Sequence, residues 1–174
     1  MGSWVGPAVV AALIAAFVSA AGWFVTTRQA LALERARRRE RTRDFQIALR
    51  AEIRSELADL TAFDLDAELE QVRGRYRDDP AYRVRVPELP RHLIIEAIIP
   101  EIHVLSEGVI QPVVLYLRQR QVVGSLISDI RSTEFALLDR EDQLEIYEEY
   151  VELRGQLAVF AAAAELALRL PSSL

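Results

Sequence analysis

Two histidines and one run of carboxylates are the side chains whose spacing points toward metal binding or catalysis. His92 and Glu96 stand at i and i+4, as do His103 and Glu107, a spacing that puts two metal ligands on one helix face. Each pair supplies only two ligands. The histidines are separated by Pro100, so the pairs are not expected to converge on one ion, and capping or surface roles are the expectation. Glu141, Asp142, Glu145, Glu148, Glu149 and Glu152 offer carboxylates for cation binding or acid–base work. At helical spacing, however, several of them fall on one outward face opposite an apolar stripe, which reads as a solvated surface. No cysteine is present, which excludes disulfides, thiol nucleophiles and thiolate metal sites. All 21 basic residues are arginine, so there is no phosphate-loop lysine and no Schiff-base nucleophile. Gly74, Gly108, Gly124 and Gly155 are scattered and form no phosphate-cradling loop. The expectation is a protein that is not an enzyme and has no metal or cofactor.

Charge, not chemistry, is the informative feature. The 174-residue chain carries a net charge of −5, yet "RQALALERARRRERTR" collects Arg28, Arg35, Arg37, Arg38, Arg39, Arg41 and Arg43. No charged side chain precedes Arg28, and "WVGPAVVAALIAAFVSAAGWFV" from Trp4 to Val25 is almost wholly apolar. A bilayer core of about 30 Å needs roughly 20 apolar residues at about 1.5 Å each. This run predicts a transmembrane helix. Trp4 and Trp23 would lie about 28 Å apart along it, one at each interface. Pro7 fits a first turn, where its missing N–H has no intrahelical partner. "VSA" at Val18–Ala20 resembles a signal-peptide cleavage pattern, but Met1 to Pro7 carries no basic region.

Excess arginine beside one end of a span marks the cytoplasmic side. The expected arrangement is a single-pass protein of a bacterial inner membrane, amino terminus outside and the bulk of the chain in the cytoplasm. The bacterial origin rests on the lysine-free, Ala-, Leu- and Arg-rich composition of GC-rich coding. The arginines are expected to contact anionic headgroups, each contributing on the order of 1 kcal/mol near the surface. Basic runs also bind nucleic acid, but beside a span the topological reading takes precedence and nucleic acid is not an expected partner. Ala8, Ala12, Ala16 and Ala20 recur every four residues, a small-residue face on which two helices approach closely. A homo-oligomer through this face is the expectation, alongside an unidentified protein partner.

The rest of the chain predicts helix. Phe45, Leu49, Ile53, Leu57 and Leu60 recur at spacings of four and three, with Arg50, Glu52, Arg54, Glu56 and Asp59 assigned to a charged opposite face. One option is a helix continuous with the span, the other a break near Thr61–Asp64, and the repeat is too short to prove a coiled coil. "GRYRDDPAYRVRVPELP" reads as an extended connector. Pro100 should end or kink the helix begun by "RHLIIEAIIP". Ser106 is a candidate cap for an apolar helix bearing Val113, Leu117, Val123, Leu126, Ile127 and Ile130, with Pro112 in its first turns. Asp139 starts a last helix facing inward through Leu144, Tyr147, Val151, Ala158, Phe160, Ala161 and Ala164. The expected fold class is all-α: one N-terminal transmembrane helix, a long amphipathic helix and a small cytoplasmic helical bundle. Its segments are an anchor (1–27), a basic juxtamembrane segment (28–44), the amphipathic helix (45–73), the connector (74–90) and the bundle (91–174).

"EIHVLSEGVIQPVVLYLRQRQVVGSLISDI" and "FALLDREDQLEIYEEYVELRGQLAVFAAAAELAL" together resemble the C-terminal half of small, uncharacterised single-pass bacterial membrane proteins. The likeness rests on apolar spacing and covers about half the chain. It departs from the pattern at "HVLSEG" and "LYL", where a plainer leucine turn and a Phe-Tyr pair are expected. It implies an architecture and no activity. The expected function is a membrane-anchored helical interaction protein: an adaptor, scaffold or accessory subunit. The alternative is an oligomeric small membrane protein of a mobile-element lysis, pore or defence system, against which the span offers few polar pore-lining groups beyond Ser19, Thr26 and Thr27.

Overall fold

The computed structural model describes residues 6–169, apart from the side chains of Pro7, Ala8, Ala21 and Val25. It is all-α, with no strand among the described residues. The helices are α1 (Pro7–Leu60), α2 (Leu65–Asp78), α3 (Leu93–Ile98), α4 (Glu107–Ile130), α5 (Thr133–Leu137) and α6 (Arg140–Ala167), with a 3₁₀ segment at Ile99–Val104. Two compact units divide the chain, Met1–Arg43 and Asp44–Leu174, and the division falls within α1.

In the first unit α1 is long and apolar enough to cross a membrane. Leu13, Phe17 and Trp23 are 66%, 77% and 70% exposed. Thr26 and Thr27 turn their hydroxyls back onto the Gly22 and Trp23 carbonyls at 2.8–3.0 Å, which satisfies them without water. Arg28 lies over the Phe24 ring, 4.2 Å from its centroid.

The second unit is a helical bundle whose most extensive contact is between α4 and α6, with α2 added against α6. Leu49, Ile53 and Leu60 of α1 are buried in its core, so the bundle begins well before residue 91. Helix α1 stops at Leu60, where a turn at Thr61–Asp64 intervenes. Asp64 then caps α2, accepting the Asp66 and Ala67 amides at 3.0 and 3.2 Å, so 45–73 is two helices and not one. The connector spans 79–92 and not 74–90. Helix α2 runs through Gly74 to Asp78, because a helical glycine costs only about 1 kcal/mol against alanine. Arg75 and Arg77 favour that helix end by facing the negative pole of its dipole.

The other punctuation falls where the residues place it. Pro100 lies in the 3₁₀ segment that follows α3. Asp139 caps α6 through the Asp142 amide at 2.9 Å, and Ser132 caps α5 through Phe135 at 3.1 Å. Ser106 is the N-cap residue of α4 but makes no side-chain cap. Pro112 sits inside α4, and the carbonyl it deprives of an amide belongs to Gly108, which is exposed. Of the expected inward residues of α6, Tyr147, Val151, Ala161 and Ala164 are buried while Leu144, Ala158 and Phe160 are half-buried.

Candidate functional site

Residues of α1, the connector and α4 meet in a buried polar cluster: Glu56, His92, Tyr116 and Arg120. Glu56 was expected on the charged outer face of its helix, and the structure reverses this. It lies three residues after Ile53 and seven after Leu49, on the same helical face as the apolar stripe, and is 3% exposed. A carboxylate on that face must find donors or be neutralised. It finds three. Tyr116 donates its hydroxyl proton to Oε2, His92 Nε2 hydrogen-bonds the same oxygen, and Arg120 Nε donates to both oxygens at 3.0–3.1 Å. Arg120 also donates through Nη2 to the Pro90 carbonyl, tying the connector to α4.

Burial alone would push the Glu56 carboxyl up. Hydrogen bonds from His92 and Tyr116 and the Arg120 charge outweigh it and hold the carboxyl below the ordinary range. Burial, reinforced by the hydrogen bond to Glu56 and its charge, pushes the Tyr116 hydroxyl well above the ordinary tyrosine value. Nδ1 of His92 is buried with no hydrogen-bond partner among the described residues. The His92 and Tyr116 rings stack at 5.9 Å.

One turn back along α1, Glu52 plays a second joining role. Its carboxylate accepts the Ile94 and Ile95 amides at 3.1 and 2.7 Å, so it caps α3 from another helix. His92, the local cap position, makes no such bond. A negative group there also suits the helix dipole.

Neither His–Glu pair is assembled. His92 turns to Glu56, whereas Glu96 pairs with Arg91 at 2.8 Å on the surface. His103 and Glu107 are exposed on different elements. Among the described residues no three His, Asp or Glu side chains are grouped as a metal ion would require. In the acidic run of α6, Glu141, Asp142, Glu145, Glu149 and Glu152 are exposed, and Glu148 bonds Arg73 of α2 at 2.7 Å.

The residues expected at a membrane, among those described, belong to the first unit. Arg28, Arg35, Arg37, Arg38, Arg39, Arg41 and Arg43 are exposed along α1, as are Trp23, Ala12, Ala16 and Ala20. Trp4 and the Ala8 side chain lie outside the described residues. The cluster around Glu56 was not anticipated from sequence, although the i+3 and i+7 spacing from Ile53 and Leu49 is a signal that could have found it.

Arg120, Tyr116 and His92 together hold the Glu56 carboxylate in place. What the arrangement does is join α1, the connector and α4. Comparison with family models, with curated proteins and with solved structures finds no match.

Proposed function

We propose that the chain is a membrane-anchored helical interaction protein, an adaptor, scaffold or accessory subunit that acts by contact and not by catalysis. The observation that carries this reading is the apolar part of α1, whose most apolar stretch is nowhere buried. A contiguous apolar surface of this size needs a cover. Seven arginines follow it directly, which supports a bilayer as that cover, with headgroups at Arg28–Arg43 and the second unit in the bacterial cytoplasm. A partner protein engages the second unit, and the face of Ala8, Ala12, Ala16 and Ala20 pairs two copies of the span.

A reporter active only outside the cytoplasm, fused after Leu174, tests the arrangement in cells. It should be silent, with the chain retained in membranes after alkaline carbonate washing. Release by carbonate would overturn the anchor, and a strong reporter signal would reverse the orientation.

A further inference from the structure

A cleft of about 530 Å³ opens in the second unit between the last turns of α1, helix α2, helix α6 and the connector. Its apolar lining comes from Leu60, Phe63, Val86, Leu89, Tyr147 and Tyr150. That volume is within the range of small-molecule sites, which pair apolar walls with a few polar groups.

The polar groups are unevenly satisfied. Tyr147 donates its hydroxyl to Glu68 Oε1 at 3.1 Å, and Arg154 Nη1 donates to Oε2 at 3.1 Å, so Glu68 is occupied. Glu56 and Glu88 are likewise held, by Arg120 and Arg131. Tyr150 differs. It lines the cleft and is only 5% exposed, yet its hydroxyl makes no hydrogen bond with any described residue. That hydroxyl is not among the fully enclosed polar atoms, so it opens to the cleft and offers a ligand a contact that no described protein group occupies.

The charge of the lining says which ligand. Five carboxylates face two arginines: Glu56, Asp59, Asp64, Glu68 and Glu88 against Arg85 and Arg154. After the ion pairs above, Asp59 and Asp64 remain without an arginine, Asp64 receiving only backbone amides. Arg85 alone stands against them. The 68% exposed Phe63 adds aromatic surface, which attracts cations through the ring quadrupole.

We propose that this cleft binds an organic cation of the alkylammonium type, carried by a free polyamine or by a lysine side chain of a partner peptide. The ammonium meets Asp59 and Asp64 and donates to the Tyr150 hydroxyl, while its methylenes lie along Leu60, Val86 and Leu89. This goes beyond the anchoring reading and stands whether or not α1 enters a bilayer.

The test is calorimetric titration of the full chain, in non-ionic detergent, with spermidine, with a capped single-lysine peptide, and with a neutral diol of matching length. Saturable binding of spermidine or of the lysine peptide, without the diol, is expected. The spermidine arm alone would indicate the free polyamine, and the peptide arm alone a partner's side chain. Tyr150→Phe removes a hydroxyl that makes no protein bond, so the unfolding midpoint should hold while affinity falls about tenfold. Asp59→Asn with Asp64→Asn, which keeps a capping side chain on α2, should weaken binding by about the same factor. Glu145→Gln with Glu149→Gln, on the exposed acidic face of α6, should change nothing. No saturable binding by either cation, equal binding of the diol, or equal loss from the α6 pair would overturn the proposal. Should a cleft variant unfold, ligand-induced shifts of a labelled Tyr150 in the unaltered chain decide the same question, their absence overturning it.

Discussion

Glu56 shows how a single residue can hold three segments together. Its partners lie 36, 60 and 64 positions away, and each hydrogen-bonds one carboxylate. Removing the charge leaves the Arg120 guanidinium without its counter-charge. Glu56→Gln should therefore cost about 3 kcal/mol at neutral pH, while Tyr116→Phe, which removes one donor, should cost about 1 kcal/mol. Denaturant unfolding of the full chain in non-ionic detergent measures both. Acid provides a second check. Glu56 is held below the ordinary carboxyl range by the causes given above. Glu165 is held below it too, burial being outweighed by bonds from Arg169 and Arg50. A carboxyl lowered in the folded state contributes stability that is fully present above its unfolded value of about 4.3 and is lost as pH falls through its folded value. The unfolding midpoint should accordingly fall below about pH 4, and Glu56→Gln should make that fall shallower. An identical slope in the variant would remove Glu56 from the acid response.

Among the elements, α2 departs furthest from its sequence pattern. Gly74 reads as a breaker, yet it is helical, with no positive φ, and a Cβ built there meets nothing within 4 Å. Alanine at that site loses no contact and narrows the unfolded ensemble. Gly74→Ala should stabilise the protein by about 0.5–1 kcal/mol, read as a higher unfolding midpoint. The start of α6 is the opposite case, since Asp139 caps it as its residue type indicates. Asp139→Ala should cost about 1 kcal/mol, and Asp139→Asn much less. Between these helices, α3 has only six residues and borrows its cap from Glu52, which explains how so short a helix is held against α1.

For the whole molecule, the division at Arg43 and Asp44 separates a helix with exposed apolar side chains from a bundle with its own core. Phe17 is the test position of the first unit, 77% exposed and near the middle of the apolar run. An aspartate at the centre of a span costs about 2.5–3.5 kcal/mol of insertion, so Phe17→Asp should shift the chain out of the carbonate-resistant membrane fraction. Ala12→Leu combined with Ala16→Leu keeps the span apolar but roughens its small-residue face. It should abolish crosslinking between spans while leaving membrane retention intact. Crosslinking that survives would place self-association elsewhere or nowhere.

Several features were legible from the residues alone because they rest on local physics. Apolar length, the absence of charge before Arg28, the stripe at Leu49, Ile53 and Leu60 with its spacings of four and seven, and the cap at Asp139 all depend on neighbours within a few turns. The burial of Glu56 was legible in part, since its register with Ile53 marks the inward face. Its partners were not. Nothing local connects Glu56 to His92 or Tyr116, because chain folding alone sets which distant donors meet a buried acceptor. The same holds for His92, whose i+4 relation to Glu96 is geometrically sound on a helix but is lost because His92 precedes α3 and turns toward Glu56. Local spacing determined the helices and their inward faces; only tertiary packing decided which polar groups left water, and burial obliged those groups to find one another.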